Sequence, residues 1–178
     1  MPSPRYLALR ALGLVPDTVR RRLVKAVAPS YMLGVLCWIA RPDGRVLLVK
    51  TSYRDRWVFP GGLVDRGERP PEAIVREVLE ETSLRIELAG PPVITIDPKL
   101  RRIEFTYKGV LLDDASSQDL HIDNVEIVAA EWFEPETLPL IDHEYDGLAE
   151  AIARSEDSPQ LFYATWANGE RFLVPGVN

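Results

Sequence analysis

GLVDRGERPPEAIVREVLEETSL, residues 62–84, decides how the rest of the chain is read. It puts Glu68 in a Gly- and Pro-rich loop and Glu77, Glu80 and Glu81 in a run with helical spacing. Proline suits the first turn of a helix, because the amide hydrogen it lacks has no intrahelical partner there. A helix is therefore predicted from Pro70 or Pro71 to about Thr82. At about 100° per residue, with Glu77 at zero, Glu80 lies near −60° and Glu81 near +40°. The three carboxylates share an arc of about 100°, with only the small Ala73 inside it. Ile74, Val75, Val78 and Leu79 predict the face that packs on a sheet, and Arg76 flanks the acids.

Glutamates three and four apart repel by about 0.2–0.5 kcal/mol per pair in an exposed helix, a trivial cost on a wetted surface. Glu-Glu pairs alone therefore signify a solvated face. Here they come with a Gly-Gly turn and a fourth glutamate whose loop can fold back over the helix. Hard oxygen ligands clustered this way suit Mg²⁺ or Mn²⁺ rather than zinc. His121 and His143 lie far apart in sequence and form no zinc pattern.

The segment resembles the Nudix box, Gly-x5-Glu-x7-Arg-Glu-U-x-Glu-Glu-x-Gly-U with U a bulky aliphatic residue. Gly62, Glu68, Arg76, Glu77, Val78, Glu80, Glu81 and Leu84 match, and Ser83 stands where the family has glycine. The flanking order is similar to the family over residues 30–153. The resemblance implies the Nudix α/β/α sandwich, an α/β fold with a mixed β-sheet flanked by helices. It implies hydrolysis of a nucleoside diphosphate linked to another moiety, with Mg²⁺ or Mn²⁺ as cofactor. Glu80 and Glu81 would be the principal metal ligands, helped by Glu77, the Gly61 carbonyl and Glu68 from the loop. Arg76 would orient a glutamate, and Glu77 or Glu81 would serve the chemistry directly. Outside the box, Glu126 opens a stretch like the strand that carries an extra metal-binding or basic glutamate in several relatives; the other reading is a solvated glutamate at a strand start. Glu131 is a weaker candidate for the same task. Glycine at position 83 would take φ > 0 at the helix C-terminus, where serine costs roughly 1 kcal/mol unless the loop bends differently.

The surroundings predict a mixed sheet covered by helices. Residues 31–40 and 46–51 read as strands around the Pro-Asp-Gly turn at 42–44, and the pair reads as a hairpin. Further strands are expected at 84–88, 93–96, 103–112 and 126–133, with a polar loop at 113–124 and an amphipathic helix at 145–153. Asn168–Gly169 between apolar stretches is a hairpin signal. Residues 5–28 read as helical in two pieces, with Asp17 as N-cap of the second. The expected organisation is a basic helical extension at 1–28, the catalytic domain at 29–156 and a hairpin-like extension at 157–178.

Composition bounds the function. With 178 residues, 46% of them apolar, the chain is long enough for one domain with a complete core. No apolar run approaches the ~20 residues of a membrane span, so no integral membrane protein is expected. The first sixteen residues suggest a signal peptide only faintly, since Arg10 interrupts the apolar part. A single cysteine excludes an intrachain disulfide and fits a reducing, cytoplasmic setting. Cys37 lies in an apolar run and reads as a buried, inert thiol. Residues 1–30 carry six basic residues and one acid, which leaves the rest of this −6 chain at −11. So acidic a body argues against stable nucleic-acid binding but not against a small nucleotide substrate. The basic, apolar-striped N-terminus is expected to lie on the domain surface or to join a second copy in a homodimer.

The substrate is less legible. Tyr53 and Trp57 are placed to stack a base, with core packing the other reading for Trp57 and for Phe59. Arg54 and Arg56 are placed to meet phosphates or to serve as loop charges. Lys50–Thr51–Ser52 does not reproduce the coenzyme A subgroup's motif, and Pro98 is near but not at the spacing of the ADP-ribose subgroup. ADP-ribose or a nucleotide sugar ranks slightly ahead of nucleoside triphosphates. Two other classes are open: a non-catalytic nucleotide-binding or sensor module on the Nudix fold, and a diphosphate isomerase. The intact acidic set argues against the first, and Cys37 in an apolar strand argues against the second.

Overall fold

A computed structural model describes residues 3, 10, 13, 15–112, 120–122, 125–139, 141, 148, 151–152, 160–168 and 170–176, without the side chains of Lys25 and Arg171. The chain forms two compact units, Met1–Tyr31 and Met32–Asn178. The first contains helix α1, Asp17–Val27. Its N-cap is Pro16 rather than Asp17, which sits one position inside and pairs with Arg20. The preceding helical piece expected from residue 5 lies mostly outside the described residues.

The second unit holds two sheets and a helix. Strands are β1 (Met32–Ile39), β2 (Val46–Thr51), β3 (Trp57–Val58), β4 (Gly61–Leu63), β5 (Ile86–Asp97), β6 (Arg102–Leu111), β7 (Ile127–Phe133), β8 (Gln160–Ala167) and β9 (Glu170–Pro175); α2 spans Pro70–Thr82. The larger sheet runs β4-β1-β6-β5-β8-β9 and the smaller β3-β2-β7. Parallel pairing of β1 with β6 and of β5 with β8 makes the larger sheet mixed. This is the α/β architecture expected.

Two pairings differ from the sequence reading. β1 and β2 are not a hairpin. The turn forms, with Arg41 N–H on the Arg45 carbonyl at 2.8 Å, but only Ala40 and Val46 bridge before the strands part into different sheets. Val35, Leu36 and Cys37 are buried in succession, so β1 must be covered on both faces and lies inside the sheet, between β4 and β6. The strands expected at 84–88 and 93–96 are one, β5. Its register shifts between Ala89 and Val93, so Pro91 and Pro92 fall in a bulge where no ladder amide is required.

Each face of the larger sheet has its own apolar cluster. Val35, Cys37, Ile39, Ile86 and Tyr107 pack against Ala73, Ile74 and Val78 of α2. Leu36, Val93 and Phe162 meet Val46, Leu48 and Ile127 of the smaller sheet. Leu148, Ala151 and Ile152 join this second cluster from a helical segment; the rest of the helix expected at 145–153, like most of the 113–124 loop, lies outside the described residues. The β8–β9 hairpin forms around Asn168, with Gly169 outside the described residues. Burial lifts the Cys37 thiol far above its ordinary pKa, consistent with an inert thiol.

Candidate active site

Helix α2 begins and ends by local chemistry. Pro70 and Pro71 occupy its first turn, and the Glu72 carboxylate accepts the Arg69 amide at 3.2 Å, closing a capping box. At the other end Ser83 takes the left-handed conformation, φ 60°, ψ 11°, and its N–H reaches the Leu79 carbonyl at 2.9 Å. The fold thus keeps the backbone that glycine would adopt, and Ser83 Oγ donates to the His121 carbonyl at 3.3 Å.

The buried face of α2 is rotated from the one the apolar residues alone suggest. Ala73, Ile74, Val78 and Thr82 are buried, whereas Val75 and Leu79 are exposed. The centre of the buried arc therefore falls on Glu81. Its Oε2 accepts the Gly61 amide at 2.9 Å, tying the helix to β4. Burial, with Glu77, Glu126 and Glu80 nearby, pushes its carboxyl up to about 8 despite that hydrogen bond. Glu77 is also raised, chiefly by burial and against the pull of Arg76. Glu80 points into solvent.

Arg76 is the clasp of the acidic face. Its Nε and Nη2 donate to the two Glu68 oxygens at 3.0 and 2.9 Å, a bidentate pair. Nη1 donates to Glu77 at 2.9 Å and to Glu80 at 3.1 Å, and Nη2 also reaches the Leu63 carbonyl. The hydrogen bonds from Arg76 hold Glu68 below the ordinary carboxylate range. The glycines before the helix are required by close approach. A Cβ on Gly61 would stand 2.1 Å from the Val35 carbonyl, and one on Gly62 would stand 2.5 Å from the Glu77 carboxyl carbon.

The donor set fits a divalent cation: hard carboxylate oxygens only, Glu77 and Glu81 half-buried, against a cradle kept open by Gly62. With Arg76 drawn among Glu68, Glu77 and Glu80, no three acidic, His or Cys side chains among the described residues form a finished ion cage.

Glu81 opens onto a cavity of about 330 Å³. Tyr53 and Arg54 line it, the guanidinium 5.9 Å from the phenol ring centre. Arg56 and Trp57 are not on its wall. Arg56 donates to the Ile141 carbonyl, and Trp57 packs edge-on against Phe133, ring centres 4.9 Å apart. Glu126 sits at the start of β7, its oxygen 3.5 Å from the Tyr53 hydroxyl and close enough for its charge to raise Glu77 and Glu81. Glu131 is exposed on β7. Sequence reasoning missed Arg102 and Thr51, which also line the cavity. The alternation Arg102, Glu104, Thr106, Lys108 was the available signal, since it sets those residues on one face of β6.

A NUDIX domain model matches residues 30–154. The chain is 31% identical over 110 residues to a putative 8-oxo-dGTP diphosphatase of Bacillus subtilis (strain 168), covering 62% of this chain and 71% of that protein. It is 39% identical over 106 residues to human diphosphoinositol polyphosphate phosphohydrolase 3-alpha, covering 57% of this chain and 62% of that protein. Among solved structures, an ADP-ribose pyrophosphatase from Streptococcus suis superposes with a TM-score of 0.58 at 25% identity, over 75% of this chain and 99% of that one. With the family match spanning β1 to β7 and the whole acidic helix, the chain belongs to the Nudix family and is a Nudix-type hydrolase.

Proposed function

We propose that the chain hydrolyses the diphosphate linkage of a nucleoside diphosphate joined to another moiety, with Mg²⁺ or Mn²⁺, and that ADP-ribose or a nucleotide sugar is favoured over a nucleoside triphosphate. The observation that carries this reading is Glu81: a half-buried carboxylate, tied to the Gly61 amide, on the wall of a cavity of about 330 Å³. Glu77, Glu80, Glu81 and the Gly61 carbonyl would hold the cation, with Glu68 bound by Arg76 behind them. A bound divalent cation would neutralise the diphosphate and lower the pKa of an attacking water. Glu81, and Glu126 beside Tyr53 of the cavity wall, are the side chains suited to accept a proton. Arg76 fixes the acidic face by holding three carboxylates at once.

The test is a panel of diphosphates incubated with Mg²⁺ or Mn²⁺ and the products identified. Metal-dependent release of a mononucleotide is expected, with Glu80→Gln or Glu81→Gln lowering kcat by roughly 10²-fold or more while the thermal melt stays cooperative. Unchanged turnover in both variants would overturn the metal assignment.

A further inference from the structure

Part of the cavity wall beside Glu81 is a buried ion pair outside the box. Arg102 lines the cavity, and its Nη2 stands 2.6 Å from Oε1 of Glu104 in an ion pair, the side chains 15% and 5% exposed. The pair lies against a glycine of the next strand. Gly34 is in register with Glu104, and a Cβ there would stand 3.1 Å from Glu104 Cγ and 3.3 Å from Arg102 Nε and Nη2. Gly34 is also in register with Leu63 of β4, the strand whose Gly61 amide holds Glu81. One row of the sheet thus leads from the ion pair to the acidic helix. Thr51, from the smaller sheet, lines the same cavity; it is buried, and its hydroxyl has no hydrogen-bond partner among the described residues.

A buried ion pair is weak evidence for stability, since a well-packed apolar pair often does as well. Its charge balance indicates what it suits. Glu104 offsets the charge of Arg102 and holds the guanidinium at the cavity wall by charge attraction. A neutralised guanidinium donates hydrogen bonds without offering net positive charge to the cavity. That suits the acceptor edge of a nucleobase, where adjacent acceptors match the fork, better than a further phosphate. The net −11 of residues 31–178 points the same way.

We propose that Arg102, positioned by Glu104 and joined by Thr51, is the nucleobase subsite, so that the chain acts on nucleoside diphosphate derivatives and discriminates against polyanions such as diphosphorylated inositol polyphosphates. The inference rests on the hydrolase reading for its place in a reaction, but its test does not.

Binding of AMP, GMP, UMP, ribose 5-phosphate and inositol hexakisphosphate is measured by calorimetry on the full chain and on Arg102→Gln, alongside hydrolysis of the matching diphosphates. At least one mononucleotide should bind about tenfold or more tighter than ribose 5-phosphate, and Arg102→Gln should remove that margin. KM of the nucleoside substrate should rise in step, with kcat falling much less. Glu104→Gln, which uncovers the charge of Arg102, should tighten inositol hexakisphosphate binding. If a single variant fails to fold, the double variant Arg102→Met/Glu104→Leu, checked by thermal melt, must show the same loss of mononucleotide binding. Mononucleotide binding unaltered by loss of Arg102, or an intact chain that prefers inositol hexakisphosphate, overturns the proposal. Arg102-dependent mononucleotide binding without turnover of any diphosphate supports the subsite and overturns the hydrolase reading; turnover with a KM indifferent to Arg102 does the reverse.

Discussion

Glu81 carries a pH signature. Its carboxyl is pushed up to about 8 in the fold, chiefly by burial, while an unfolded glutamate titrates near 4.3. Between those values the folded chain holds a proton that the unfolded chain has lost. The contribution is therefore fully present below the ordinary carboxylate range and is lost as pH rises through about 8, with a slope of up to about 1.4 kcal/mol per pH unit. Urea denaturation in a chelator should show stability falling from pH 5 to 8, and Glu81→Gln should flatten that fall. A flat wild-type profile would count against the burial of Glu81. Glu68 works with the opposite sign, since Arg76 lowers its pKa and its contribution disappears on acidification. At the other end of the helix, Ser83 sits at φ 60°, where a Cβ costs about 1 kcal/mol. Ser83→Gly should raise Tm by about 2–4 °C in calorimetry, because the hydrogen bond it gives up is exposed and long. A lower Tm would show that the bond to His121 outweighs the backbone strain.

The loop and helix from Gly61 to Thr82 act as one element because backbone and carboxylates approach closely. Gly62→Ala would drive a methyl group into the Glu77 carboxyl, which must swing out of the Arg76 clasp. The backbone there has room to keep its course, so the expected outcome is a folded chain with kcat lowered about tenfold or more, as for a displaced catalytic group. Full activity in that variant would remove Glu77 from the site. The element was well marked in the sequence. Its prolines, glycines and acids are local signals, and they placed helix, loop and acidic face correctly. Its rotation against the sheet was not marked, because Val75 and Leu79 are as apolar as Ile74 and Val78. Only the neighbours in space select which of them are buried.

For the molecule as a whole, the C-terminal hairpin is part of the main sheet. β8 pairs in parallel with β5, and Phe162 is buried in the cluster between the sheets. Trp166 Nε1 donates to Asp97 at 3.2 Å under the Lys99 ammonium, while the other Asp97 oxygen takes the Lys99 and Leu100 amides. Phe162→Ala should cost about 3 kcal/mol in urea denaturation; a loss below about 1 kcal/mol would make the hairpin an appendage. Among the described residues no helix is long and apolar enough to cross a membrane.

What the sequence by itself determined was carried by short-range spacing: the acidic helix and its ends, the glycine turn before it, the longer strands β1, β2, β6 and β7, and the family resemblance. Periodicity and turn chemistry act over a few residues, so they can be read without the fold. What only the tertiary structure decided was which strands are neighbours and which side chains meet. The parting of β1 from β2, the pairing of the single β5, the setting of Glu81 and the packing of Arg102 and Glu104 against Gly34 all arise from contacts between segments distant along the chain. Their energies depend on the packing and desolvation that assembly creates, and no local pattern in the sequence encodes them.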